Sequence, residues 1–112
     1  MFGARGRVMS VRIRLPNRRG HEVLELQHGE IRYVAGLGYF DDGRLGEIFL
    51  SSQKIGTSID VVARDASILA SLALQHGADV ETLRRALTRN EDGSASGPLG
   101  GVLDLLATER AC

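Results

Sequence analysis

The sequence predicts an α+β fold: an antiparallel meander of three to four strands packed on a long helix, with two shorter helices completing the cover. Three observations carry this. Apolar residues alternate at period two as far as Ser51, they recur at helical spacing after Gly56, and turn-forming residues separate the segments. With 112 residues, 43% of them hydrophobic, the chain is long enough to bury a core as one domain. The expected organisation is a flexible basic leader over 1–10, a single domain over 11–107 and a frayed tail over 108–112.

Val11, Ile13 and Leu15 alternate with Arg12 and Arg14, as in an edge strand or an extended arm, until Pro16-Asn17 breaks the pattern. Val23, Leu24 and Leu26 mark the first clear strand, and His28-Gly29-Glu30 a turn. Ile31, Tyr33 and Ala35 start the returning strand, in which Gly36 and Gly38 mark a bend, a bulge or a close backbone approach. Asp41-Asp42-Gly43 suits a hairpin turn, because Asp and Gly tolerate positive φ, and Arg44 to Ser51 is the third strand.

Thr57 or Ser58 caps the long helix, with Asp60 in its first turn, where the dipole favours a carboxylate. Ile59, Val62, Ala63, Ala66, Leu69, Ala70 and Ala73 are expected to form its core face, and Gly77 its left-handed stop. Asp79 caps a second helix with Val80, Leu83, Ala86 and Leu87 on its apolar side. Arg84, Arg85 and Arg89 lie towards its C-terminal half, where cations suit the dipole. A polar loop over 90–97 leads to Pro98, which fits the first turn of a third helix faced by Leu99, Val102, Leu103, Leu105 and Leu106.

Composition narrows the function classes. Aromatic residues make up 4% of the chain, which argues against a base-stacking platform. The lone Cys112 rules out an internal disulfide and a cysteine-rich zinc site, and it reads as a frayed bystander suited to a reducing cytoplasm. No apolar run spans a bilayer and no signal peptide is visible, so a cytoplasmic location without membrane contact is expected. Net charge is zero, but Arg5, Arg7, Arg12, Arg14, Arg18 and Arg19 all precede the first acidic residue, Glu22. Such asymmetry suits either an anion-binding arm or a solvated start that pairs with the protein's own acidic face.

Within that arm, Arg18-Arg19 between Pro16 and Gly20 can present guanidinium forks to phosphate or carboxylate oxygens. Arg14, Arg18, Arg19 and Arg44 form the candidate ligand or partner site. Asp41 and Asp42 read as turn residues, and Glu47 with Arg44 as a structural ion pair. His21, His28 and His76 share no ligand spacing, so no metal and no cofactor is assigned. No nucleophile elbow surrounds any serine, so no catalytic residue is assigned. Gly97-Pro98-Leu99-Gly100-Gly101 is neither a P-loop nor a dinucleotide fingerprint, and suits close helix packing at a tight entry turn.

Four segments, in order, carry a family resemblance: Leu15-Pro16-Asn17-Arg18-Arg19-Gly20; Gly38-Tyr39 with Asp42-Gly43-Arg44-Leu45-Gly46-Glu47-Ile48-Phe49; Lys54 with Gly56; and Ser71-Leu72-Ala73-Leu74-Gln75-His76-Gly77 followed by Glu81. Together they resemble the C-terminal TSCPD domain of adenosylcobalamin-dependent ribonucleotide reductases. That resemblance implies a shared fold and an association with nucleotide metabolism. The Thr-Ser-Cys-Pro-Asp motif, the cysteine-rich tail and the catalytic barrel of such reductases have no counterpart here, so no catalytic residue carries over.

The expected function is a non-catalytic accessory or binding module. Its partner is a protein, such as a reductase-like enzyme, or a phosphate-bearing ligand. A nucleic-acid-binding protein using the arginine-rich arm is the alternative. The edges that a small sheet leaves in need of protection also suit a homo-oligomer.

Overall fold

The computed structural model describes residue 12 and residues 20–110. Three antiparallel strands, β1 (Gly20–His28), β2 (Ile31–Tyr39) and β3 (Leu45–Ser52), form a sheet of order β1-β2-β3. Three helices follow: α1 (Ser58–Gln75), α2 (Val80–Ala86) and α3 (Pro98–Arg110). The predicted α+β class and its three-helix cover are therefore observed. The proposed arm around Val11–Leu15 lies outside the described residues, apart from Arg12.

Local chemistry sets the boundaries. Gly29 has φ +63° at the first position of the two-residue β1–β2 loop, the glycine position of a type II′ turn. In the β2–β3 turn, Phe40 N–H donates to Arg44 O at 2.8 Å, and Gly43 takes φ +89°. The register shifts between Gly38 and Tyr39, a bulge just before this turn.

Thr57 caps α1 by accepting from Asp60 N–H. The helix ends in a Schellman motif: Ala78 N–H reaches Ala73 O at 3.0 Å and Gly77 N–H reaches Leu74 O at 3.1 Å, with Gly77 at φ +108°. Asp79 caps α2, accepting from Thr82 N–H at 2.7 Å.

One sheet face is the core. Leu37 and Ile48 are register partners on it, as are Ala35 and Leu50, and all four are buried. Leu99, Val102, Leu103 and Leu106 of α3 join them in one cluster, while Leu105 stays exposed. The opposite sheet face leaves Val23, Val34 and Phe49 exposed.

The core face of α1 differs from the sequence expectation. Ala63 and Ala70 are buried as predicted, together with Asp60, Ser67, Leu74 and Gln75. Ile59, Val62 and Leu69 are exposed, the last two by 66% and 67%. The helix carries two stripes of the same three-and-four spacing. Apart from Leu74, the stripe that packs inward is small or polar: Ala63, Ala70 and Leu74 join the core, and the polar residues meet the backbone edge of β3.

Candidate functional site

That contact is the most specific polar construction in the described structure. The outward backbone groups of β3 meet α1 side chains instead of a fourth strand. Ser52 N–H donates to Asp60 Oδ1 at 2.9 Å, Leu50 N–H to Ser67 Oγ at 3.2 Å, and Ile48 N–H to Ser71 Oγ at 2.9 Å. Gln75 Nε2 donates to Gly46 O at 2.9 Å, and its Oε1 accepts from Arg12 Nε at 2.6 Å.

The two ladders are commensurate. Four helical residues rise about 6.0 Å and two strand residues about 6.6 Å. Each turn from Ser67 through Ser71 to Gln75 therefore meets the next outward group of an antiparallel strand.

Asp60 also accepts from Gly56 N–H at 3.3 Å and pairs with Arg64 Nε at 3.1 Å. The Ser52 amide first, then Gly56 and Arg64, hold its carboxyl below the ordinary range, against the opposing effect of burial. Ser67 Oγ donates to Arg64 O at 2.8 Å, and Ser71 Oγ lies 2.9 Å from both Ile48 O and Ser67 O. These hydroxyls and this carboxylate are committed to the backbone. They form a structural seam with no nucleophile beside a base.

Of the predicted site residues, Arg14, Arg18 and Arg19 lie outside the described residues. Arg44 is exposed on the β2–β3 turn. Its Nε donates to Asp42 Oδ2 at 2.7 Å, and its guanidinium lies 4.9 Å from the Phe40 ring centroid. Its ion-pair partner is thus Asp42 rather than the expected Glu47, because the tight turn brings Asp42 back onto it. The Arg44 amide, ahead of its guanidinium, holds the Asp42 carboxyl below its ordinary value. A cavity of about 370 Å³ beside Arg44 is also lined by Asp79 and Glu81, so carboxylates share that surface with the cation.

Arg84 of α2 and Arg89, which lies beyond the end of α2 rather than in its C-terminal half, share a partner that sequence reasoning missed. Arg89 grips Asp104 of α3 with two nitrogens, at 2.6 and 2.9 Å, and Arg84 Nε reaches the same carboxylate at 3.0 Å. Arg84 and Arg85 also bind Glu81. Arg89, more than Arg84, brings the Asp104 carboxyl down to about 2. This cluster ties α2 and the following loop to α3. The signal was Asp104, an acidic residue set among the apolar Val102, Leu103, Leu105 and Leu106.

A largely apolar groove of about 490 Å³ separates α1 from the segment leading into α3. Ile59, Val62 and Ala66 form one wall, Leu87 and Pro98 stand opposite, and Tyr33 and Leu50 belong to its lining. Among the described residues, no charged side chain lines it. Tyr33 is 4% exposed, and its hydroxyl has no hydrogen-bond partner among the described residues. Burial pushes its phenol upward. Beyond the groove, Val61, Ile68 and Leu69 continue an exposed aliphatic face along α1.

Among the described residues, no group of three or more His, Cys, Asp or Glu side chains is placed to hold a metal ion, and no helix is long and apolar enough to cross a membrane. His28 Nε2 lies 3.0 Å from Ser96 O, a contact between the first hairpin and the loop before α3.

Comparison with known proteins places these features in a family. The chain is similar to the vitamin B12-dependent ribonucleotide reductase of Agrobacterium fabrum, 35% identical over 77 residues. It is likewise similar to the same enzyme of Bradyrhizobium diazoefficiens, 33% identical over 81 residues. These alignments cover 69% and 72% of this chain but only 6% of each reductase. No solved structure matches the chain significantly. The family model described as the TSCPD domain matches residues 12–108, and the chain belongs to that family.

Proposed function

We propose that the chain is a non-catalytic accessory module that binds a reductase-like protein through the outward face of α1. The observation that carries this is the exposure of Val61, Val62, Ile68 and Leu69 on a helix whose opposite side is already bonded to β3. A contiguous exposed aliphatic face on a helix already packed on its other side marks a protein contact. Its relatives carry a domain of this kind as a small part of a long reductase chain, which makes a reductase the first partner to test.

The committed hydroxyls of Ser67 and Ser71 support a binding role over an enzymatic one. A phosphate-bearing ligand held by Arg14, Arg18, Arg19 and Arg44 is the other form of this reading. The test is sedimentation of the purified chain with and without the vitamin B12-dependent ribonucleotide reductase of the same cell. A complex that persists as salt is raised, with no nucleotide turnover by the chain alone, is expected. Turnover by the chain alone, or binding only to generic RNA with a steep salt dependence, overturns the reading.

A further inference from the structure

We infer that the occupant of the α1 face is a single amphipathic helix of the partner, with an aliphatic seam and a basic residue opposite Asp65. This deepens the proposed binding role and rests on it.

The shape of the site comes from α1 itself. Ile59, Val62, Ala66, Leu69 and Ala73 follow strict three-and-four spacing, the spacing of a seam that a second helix packs against. Ala66 at the centre is small, so a partner backbone can approach closely between Val62 and Leu69. The seam is continuous with the groove, since Ile59, Val62 and Ala66 also form its wall. A large side chain of the occupant enters there, where the described lining is uncharged and its side-chain polar groups are the hydroxyls of Tyr33, Ser58 and Thr88.

Charge selects between a foreign helix and a second copy. Asp65 is exposed beside the seam and has no ion-pair partner among the described residues. The neighbouring Arg64 is turned away, bound to Asp60 and lying 5.4 Å from the Phe49 ring centroid. An antiparallel pair of α1 helices centred on Ala66 brings the two Asp65 carboxylates towards each other. A partner helix with Lys or Arg at that height removes the conflict and gains an ion pair.

The probe is a helical peptide as long as α1, with leucines at three-and-four spacing and one flanking Lys, compared with the same peptide carrying Glu. The full chain, in a Cys112→Ser background, is expected to bind the Lys peptide about fivefold more tightly. Asp65→Lys should reverse that preference, and Val62→Glu or Leu69→Glu should abolish binding with the circular dichroism spectrum retained. Thiol labelling of Leu69→Cys in the same background should be fast, and slowed by the peptide.

Absence of binding, or no charge preference, overturns the inference. So does self-association that Leu69→Glu abolishes, which assigns the face to a second copy. Slow labelling without peptide overturns it too, because the chain then covers its own face. A reductase complex indifferent to Val62→Glu sinks the helix occupant while leaving the accessory role standing.

Discussion

The Asp60 carboxylate accepts the backbone N–H of Ser52 at 2.9 Å, so a first-turn helix residue satisfies the last residue of the edge strand. Asp60 is 2% exposed, and its carboxyl is held below the ordinary 3.8. Near that value the unfolded chain binds more protons than the native state. The stability Asp60 contributes is therefore complete above 3.8 and is lost as pH falls through the lower native value. Asp60→Asn should melt at a lower temperature than the parent at about pH 7, and its melting temperature should depend less on pH below about pH 4. Thermal melts of both proteins across that range check this, and parallel curves would refute it.

Ser67 tests the middle rung of the same ladder. It is fully buried, and Ser67→Ala leaves the Leu50 N–H without its acceptor. An unsatisfied buried donor costs about 1–3 kcal/mol. The urea midpoint should fall accordingly, and hydrogen exchange at the Leu50 amide should accelerate more than at Ala35, which pairs with Leu50 within the sheet. Equal acceleration at both would mean that Ser67 acts through packing alone.

Much of the local structure was legible because its causes are local. The Thr57 cap, the Gly77 stop, the Asp79 cap, the start of α3 at Pro98 and the Asp42-Gly43 turn each depend on a few adjacent residues. The inward face of α1 was not legible by hydropathy, because the partner of Asp60, Ser67, Ser71 and Gln75 is a polar strand edge. Their helical spacing was visible, but it reads as a solvated side unless β3 is known to lie beside it. Arg84 and Arg89 were likewise assigned to the helix dipole, since Asp104 reaches them only through tertiary packing.

The reassigned face yields a direct contrast between two leucines. Leu69→Ala removes an exposed side chain and should change stability by less than about 0.5 kcal/mol. Leu103→Ala empties a site with 0% exposure and should cost about 2–5 kcal/mol. Urea denaturation of the two variants decides the matter. A Leu69→Ala loss as large as that of Leu103→Ala would mean that something covers α1 in the isolated chain.

The Asp104 cluster should behave as a unit. Asp104→Ala releases both Arg84 and Arg89 and should cost about 1–2 kcal/mol, more than a typical surface pair because one grip is bidentate. A double-mutant cycle with Arg89→Ala should give a coupling of about 1 kcal/mol. The Asp104 carboxyl is lowered from 3.8 to about 2, so this contribution is present above 3.8 and fades as pH falls through about 2. A cycle that closes to zero at neutral pH would show that the arginines only crowd the carboxylate.

Gly100 tests the close packing expected at the entrance to α3. A Cβ placed there would lie 3.0 Å from the Ala95 methyl, tighter than ordinary van der Waals contact. Helix propensity alone favours Ala over Gly by up to about 1 kcal/mol, whereas overpacking costs about 1–3 kcal/mol. Gly100→Ala should therefore destabilise the parent chain. In an Ala95→Gly background the obstructing methyl is gone, and the same substitution should become neutral or stabilising. Urea midpoints of the four proteins measure the reversal. If the two substitutions simply add, the loop that Arg89 and Ala95 bridge gives way freely and the contact does not constrain Gly100.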